Sequence, residues 1–147
     1  RERAWELAGM INPVHHALEP AGVATYKVEP YVLAADVYGV APHVGRGGWT
    51  WYTGSAGWMY RLLTESLLGL QRRGGRLELA PCIPADWQEY RIEFRHGQST
   101  YVIDIRQVDG GVPRLQLDGE MQEGFGFTLV DDQAVHVVEA TWPRPAA

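Results

Sequence analysis

The chain has one cysteine, Cys82, in 147 residues. No intrachain disulfide can form, which fits a reducing compartment. Set between Pro81 and Pro84, Cys82 suits a small buried filler, and no histidine nearby in sequence marks it as a catalytic thiol. Clustered positive charge is also scarce. Thirteen Lys and Arg stand against 18 Asp and Glu, for a net charge of −5. Nucleic-acid binding needs grouped cations to neutralise phosphates. The one local group, Arg72, Arg73 and Arg76 around a glycine pair, suits a solvated helix end, so no nucleic-acid partner is expected. Uninterrupted apolar runs of membrane length are missing, as is anything resembling a signal peptide. No N-cap residue precedes the opening "RERAWELAGMI". Its rough helical stripe of Trp5, Ala8, Met10 and Ile11 starts as a helix in progress. The expectation is a piece of a longer polypeptide.

What is present is 46% apolar residues, enough for one ordinary domain or two small units. The hydrophobic period divides the chain. Residues 1–75 are mostly helical in pattern, with a first helix ending before Asn12-Pro13 and a loop or broken turn over "NPVHHALEPAG". Tyr31, Ala34, Ala35 and Tyr38 fall at helical spacing, with Gly39 and Pro42 as stops. "SAGWMYRLLTESLLGLQRR" predicts an amphipathic helix ending in arginines and closed by Gly74-Gly75. From Arg76 the period becomes two. A hairpin is predicted around His96-Gly97-Gln98, a turn at Asp118-Gly119 and a hairpin turn at Asp131-Asp132-Gln133. The fold class is therefore α+β: a helical segment, then a small antiparallel β unit over residues 76–147.

The most unusual stretch is "GRGGWTWYTGSAGWMYR", residues 45–61, where five glycines and three tryptophans share seventeen positions. Thr53-Gly54-Ser55 opens a helix. Free N–H groups there attract anions, and Gly54 lets a ligand approach the backbone; the alternative is a plain helix cap. Trp49, Trp51 and Trp58 suit sugar faces or core anchors equally. Glu29 lies in an apolar segment, where it could contact sugar hydroxyls or pair with Lys27 or Arg46. His43 and Arg46 flank Gly45, facing an anion or simply solvent. His15-His16 lacks the further ligand a metal needs, so no metal is expected. No complete catalytic set is visible.

The longer string "YKVEPYVLAADVYGVAPHVGRGGWTWYTGSAGWMYR", residues 26–61, closely resembles the C-terminal portion of glycoside hydrolase family 94, which includes cellobiose and chitobiose phosphorylases and the phosphorylase-like module of cyclic β-1,2-glucan synthases. "MINPVHHA" (10–17) and "LELAPCIPADW" (77–87) fit the same family. The resemblance implies the last helices of an (α/α)6 barrel, followed by a β-sandwich-like unit. It implies inverting phosphorolysis of β-glucosides, with β-1,2-glucan among the candidates. Inorganic phosphate is the co-substrate and no cofactor is needed. It assigns phosphate binding to Thr53 and Gly54, and leaves Glu29, Arg46, Trp49 and Trp51 as sugar or loop contacts. No catalytic residue is assigned within the chain, because the family's general acid is expected upstream of Arg1; the segment alone should then be inactive. The implied partners are a β-glucan oligosaccharide or sugar 1-phosphate and the rest of the parent barrel, with self-association through uncovered apolar faces. A cytoplasmic location is expected, at the inner membrane's cytosolic face if the parent is a cyclic glucan synthase. The alternative is a non-catalytic carbohydrate-binding or structural module.

Overall fold

A computed structural model describes residues 1–51 and 54–144. The chain divides into two compact units, Arg1–Leu63 and Thr64–Ala147.

In the first unit, α1 (Glu2–Ile11) stops where Asn12-Pro13 forbids a further turn. Asn12 then caps α2 (Pro13–His16), its Oδ1 accepting from the Val14 N–H at 3.1 Å. Pro20 opens α3 (Pro20–Tyr26), which ends at Lys27 with φ 55. The loop predicted for this region is thus mostly two short helices. His16 is used structurally. Its Nε2 lies 2.9 Å from the Met10 carbonyl, and its ring stacks on Tyr26 at 4.1 Å. Ala8, Tyr26 and Val32 are buried, whereas Met10, Ile11, Val14 and Leu18 are exposed.

The helix expected over Tyr31–Tyr38 does not form. The backbone turns at Glu29–Val32 and then runs extended against residues 45–49. The last helix, α4 (Ser55–Arg61), continues as a π-helical segment, Leu62–Leu67. It does not reach Arg72 as predicted. Gly69, at φ 78, breaks it, and a Cβ there would strike the Ala80 backbone. The arginines belong instead to β1 (Leu70–Arg73), paired with β2 (Arg76–Leu79) across a Gly74-Gly75 turn. The barrel that the resemblance implies is not displayed by these residues.

The second unit holds β1–β2, β3 (Glu89–His96), β4 (Ser99–Val108), β5 (Arg114–Leu117), β6 (Glu120–Met121), β7 (Gly126–Thr128) and β8 (Val135–Pro143). One sheet has the order β1-β2-β7, the other β3-β4-β8-β5-β6. Their inner residues form one core. Leu77, Leu79, Phe127 and Leu129 come from the small sheet and its exit; Tyr101, Ile103, Ile105, Leu115, Val138 and Ala140 come from the large one. The unit is not wholly antiparallel, since β4 and β8 run parallel.

That parallel pair corrects another expectation. Asp131-Asp132-Gln133 is no hairpin turn but the crossover from β7 in one sheet to β8 in the other. Short polar side chains hold it to the β3–β4 hairpin. Asp131 Oδ1 accepts from the Gln98 N–H, and the buried Ser99 Oγ accepts from the Asp132 and Gln133 N–H groups while donating to Asp132 Oδ1. Pro84–Trp87 forms a turn, the Trp87 N–H donating to the Pro84 carbonyl at 3.3 Å. Gln107 Nε2 ties it to β4 by donating to the Pro84 and Trp87 carbonyls, and the Trp87 ring meets Tyr90 edge-on at 6.1 Å. Cys82 is half-buried rather than a sealed filler.

Candidate functional site

The glycine- and tryptophan-rich segment forms half of an irregular two-stranded ladder. The Ala35 N–H donates to Trp49 O at 2.7 Å, Gly48 N–H to Asp36 O at 2.8 Å, and Tyr38 N–H to Arg46 O at 2.9 Å. Val37 and Gly47 form the bridge between them. The Gly47 N–H reaches the Tyr26 carbonyl at 2.8 Å, which fixes the ladder to the end of α3.

Two glycines are sterically required. A Cβ on Gly47 would collide with Val28 and crowd Ala34 and the Tyr26 ring; one on Gly48 would enter the Asp36 carboxylate. That carboxylate also accepts from the Trp49 N–H at 3.1 Å. Asp36 is thus the side chain that holds the loop's shape. Its trace in the sequence is indirect, the Gly47-Gly48 pair that makes room for it.

The tryptophans project outward. Trp49, Trp51 and Trp58 are 71%, 69% and 72% exposed, so none is a core anchor within these residues. Trp51 has φ 60, an uncommon state for a bulky residue that costs about 1–2 kcal/mol. Such strain persists only where the surroundings hold it, and the Tyr31 ring meets Trp51 edge-on at 6.2 Å. Arg61 lies over the Trp58 ring at 5.6 Å. The alternation of smallest and largest residues therefore sorts by side, with Gly47 and Gly48 against the ladder's packing and the indoles in solvent.

Among the predicted residues, Gly54 has φ 90 and precedes α4, accepting from the Trp58 N–H at 2.9 Å. The left-handed conformation explains why glycine stands there. Among the described residues, a Cβ at Gly54 would approach only Trp58 Cδ1, at 4.0 Å. Thr53 lies outside the described residues. Glu29 is exposed, not buried, and forms no ion pair with Lys27 or Arg46. Its carbonyl closes the turn to Val32, which carries Tyr31 toward Trp51. Arg46 is exposed beside Tyr38, at the end of the ladder away from Trp49. Trp51 and the Glu29 turn come together; Arg46 stands apart from them.

No three His, Cys, Asp or Glu side chains form a metal-sized group among the described residues. No helix among them is long and apolar enough to cross a membrane.

Residues 1–69 match the family model described as the glycosyl hydrolase 94 superfamily, catalytic domain. The match ends where β1 begins. The chain is 45% identical over 121 residues to the cyclic beta-(1,2)-glucan synthase NdvB of Rhizobium meliloti (strain 1021), covering 82% of this chain and 4% of that protein. It is 35% identical to solabiose phosphorylase of Paenibacillus borealis, over 76% of this chain and 15% of the relative. It is 30% identical to N,N'-diacetylchitobiose phosphorylase of Vibrio furnissii, over 81% and 15%. The chain therefore spans a small part of each of these relatives.

Proposed function

Residues 1–69 belong to the glycosyl hydrolase 94 superfamily catalytic domain, and on that premise we propose that this chain forms one wall of a phosphorolytic site for β-glucosides. Thr53 and Gly54 grip inorganic phosphate, with a hydroxyl and backbone N–H groups at the head of α4. Phosphate attacks the anomeric carbon from one face while a carboxylic acid protonates the leaving oxygen on the other. The C–O glycosidic bond breaks, a C–O bond to phosphate forms, and the anomeric centre inverts. Phosphate is already an anion, so no second carboxylate is needed as base. No Asp or Glu of this chain is assigned the acid's role.

The observation that carries this reading is the opening of α4. Gly54, at φ 90, presents a backbone that is uncrowded among the described residues, five residues after Trp49 and three after Trp51, both largely in solvent. Those rings supply apolar faces for a sugar. Similarity to a β-1,2-glucan synthase puts β-1,2-linked glucans first among the substrates. Sugar 1-phosphate is the product, and the cytosol, where such esters are used, is the proposed location.

The test uses the full-length protein with β-1,2-, β-1,3- and β-1,4-linked oligosaccharides, following phosphate-dependent release of sugar 1-phosphate. Thr53→Ala should raise KM for phosphate about tenfold, the loss of one hydrogen bond to a charged group, and leave KM for the sugar nearly unchanged. Equal changes in both would remove the phosphate role from Thr53. Absence of phosphate-dependent release from every substrate refutes the proposal.

A further inference from the structure

Among the described residues, the large sheet has an open edge at β3, "EYRIEFRH". Which backbone groups face that edge follows from the β3–β4 pairing. Gly97-Gln98 is a two-residue turn, so His96 and Ser99 form the first hydrogen-bonded pair. The same parity holds at the far end, where the Gln107 N–H donates to Gln88 O at 2.8 Å. Even-numbered residues of β3 therefore bond to β4. The N–H and C=O groups of Glu89, Arg91, Glu93 and Arg95 point off the sheet.

Those four residues also carry alternating charge on the exposed face. Two are matched within the chain. Arg91 binds Asp104 through two contacts, of 2.7 and 2.9 Å, and Arg106 meets Glu89 at 3.2 Å. Glu93 and Arg95 stand opposite Val102 and Thr100, and no ion pair among the described residues includes either.

A second copy of β3, run antiparallel about a two-fold axis through Ile92, resolves all of this together. Glu89 then faces Arg95 of the copy, and Arg91 faces its Glu93. Both are hydrogen-bonding positions of the free edge. Each cross-sheet row keeps alternating in sign: Arg106, Glu89, Arg95 in one and Asp104, Arg91, Glu93 in the next. On the other face Tyr90 meets Phe94 and Ile92 meets Ile92, covering side chains that are only half-buried at the edge. A shift of two residues along the strand keeps the hydrogen-bond parity but sets Glu opposite Glu and Arg opposite Arg. The charges therefore select one register. We propose that β3 is a self-recognition edge through which two copies of this chain join their large sheets into one continuous sheet.

Sedimentation velocity of the full-length protein tests this. Edge pairing alone makes a small interface, so a dimer in the micromolar range is expected, weakening as salt rises. Arg95→Glu sets like charges against Glu89 twice by symmetry, and Glu89→Lys does so against Arg95. Each should weaken the dimer about tenfold. Mixing the two variants restores opposite charges at every pair across the interface and should return affinity to near the original, which misfolded chains could not do. Glu93→Pro, at a position whose N–H serves only the free edge, should abolish pairing while preserving the circular dichroism spectrum. A monomer at hundreds of micromolar, a dimer indifferent to these changes, or a mixture no tighter than its parts overturns the proposal.

Discussion

Ser99→Ala isolates the contact that lets the chain cross between its two sheets. Ser99 is fully buried, and its Oγ makes three hydrogen bonds of 2.9 Å, one of them to the Asp132 carboxylate. Alanine is nearly isosteric, so no cavity term enters. Each neutral bond contributes about 1 kcal/mol and the charge-assisted one more. The Asp132 and Gln133 N–H groups lie in an exposed segment and regain water, which offsets part of that loss. The remainder is about 2 kcal/mol, or roughly thirtyfold in a local opening equilibrium. Hydrogen exchange of the full-length protein reads this directly. Amides in 129–136 should exchange about thirtyfold faster, while those of 101–106, whose ladder partners on β3 and β8 are untouched, should change little. If 129–136 speeds up by less than about threefold, the crossover is held by its ends alone and the reasoning fails.

The same crossover should depend on pH. His136 lies between Asp118 at 2.7 Å and Asp132 at 3.1 Å and stacks on Tyr101 at 4.6 Å. The hydrogen bond to Asp118 foremost raises its pKa above 6.5. Asp118, bonded to His136, and Asp132, bonded first to the Ala134 N–H, are held below 3.8. The histidine's contribution is complete below 6.5 and fades as pH rises through the raised value; the carboxylates' is complete above 3.8 and fades in acid through the lowered ones. Protection of 129–136, corrected for intrinsic exchange, should be greatest between 3.8 and 6.5, and His136→Phe should flatten the alkaline decline; a profile still rising above pH 7 contradicts the cluster. Gly69→Ala should cost at least about 2 kcal/mol in urea unfolding, since it combines left-handed strain with a backbone collision, and a smaller loss would mean the Ala80 segment yields freely. Gly48→Ala should displace Asp36 from the Trp49 N–H and lower phosphorolytic kcat/KM without changing the unfolding of the β unit; unaltered kinetics would detach the ladder from the proposed site. Trp49→Ala or Trp51→Ala should raise the oligosaccharide KM about tenfold with little loss of stability, given the exposure of both rings, and unchanged KM values would remove the sugar-platform role.

The sequence was most legible where partners lie close along the chain. Asn12-Pro13 ends a helix by local sterics, and His96-Gly97-Gln98 turns a hairpin for the same kind of reason. It misled where a distant segment decides. Tyr31, Ala34, Ala35 and Tyr38 carry a helical spacing, yet Asp36 and Tyr38 spend their backbone groups on Gly48 and Arg46. That exchange is open only because Gly47 and Gly48 have no side chain to obstruct it. Leu70–Arg73 has helix-forming residues, but Gly69 stops the helix and the chain returns through Gly74-Gly75 to pair with Arg76–Leu79. Asp131-Asp132 carries ordinary turn chemistry, and nothing local distinguishes a hairpin from a crossover. That choice lies with β8, whose buried Val138 and Ala140 fit beside β4.

The candidate site follows the same logic. Its glycines were conspicuous from the start, but glycine is compatible with both a ligand and a neighbour, and each proves to answer to something different. Gly47 and Gly48 are small because the ladder packs against them, so their replacement should fail through geometry before any ligand arrives. Gly54 is glycine because φ is 90, and among the described residues the space beside it is open. Of the three, Gly54 is the exposed one, whereas Gly47 is buried and Gly48 half-buried. A phosphate role in this loop therefore rests on Gly54 and the adjoining Thr53, and the kinetic separation of phosphate from sugar at Thr53 is the measurement that bears on it directly.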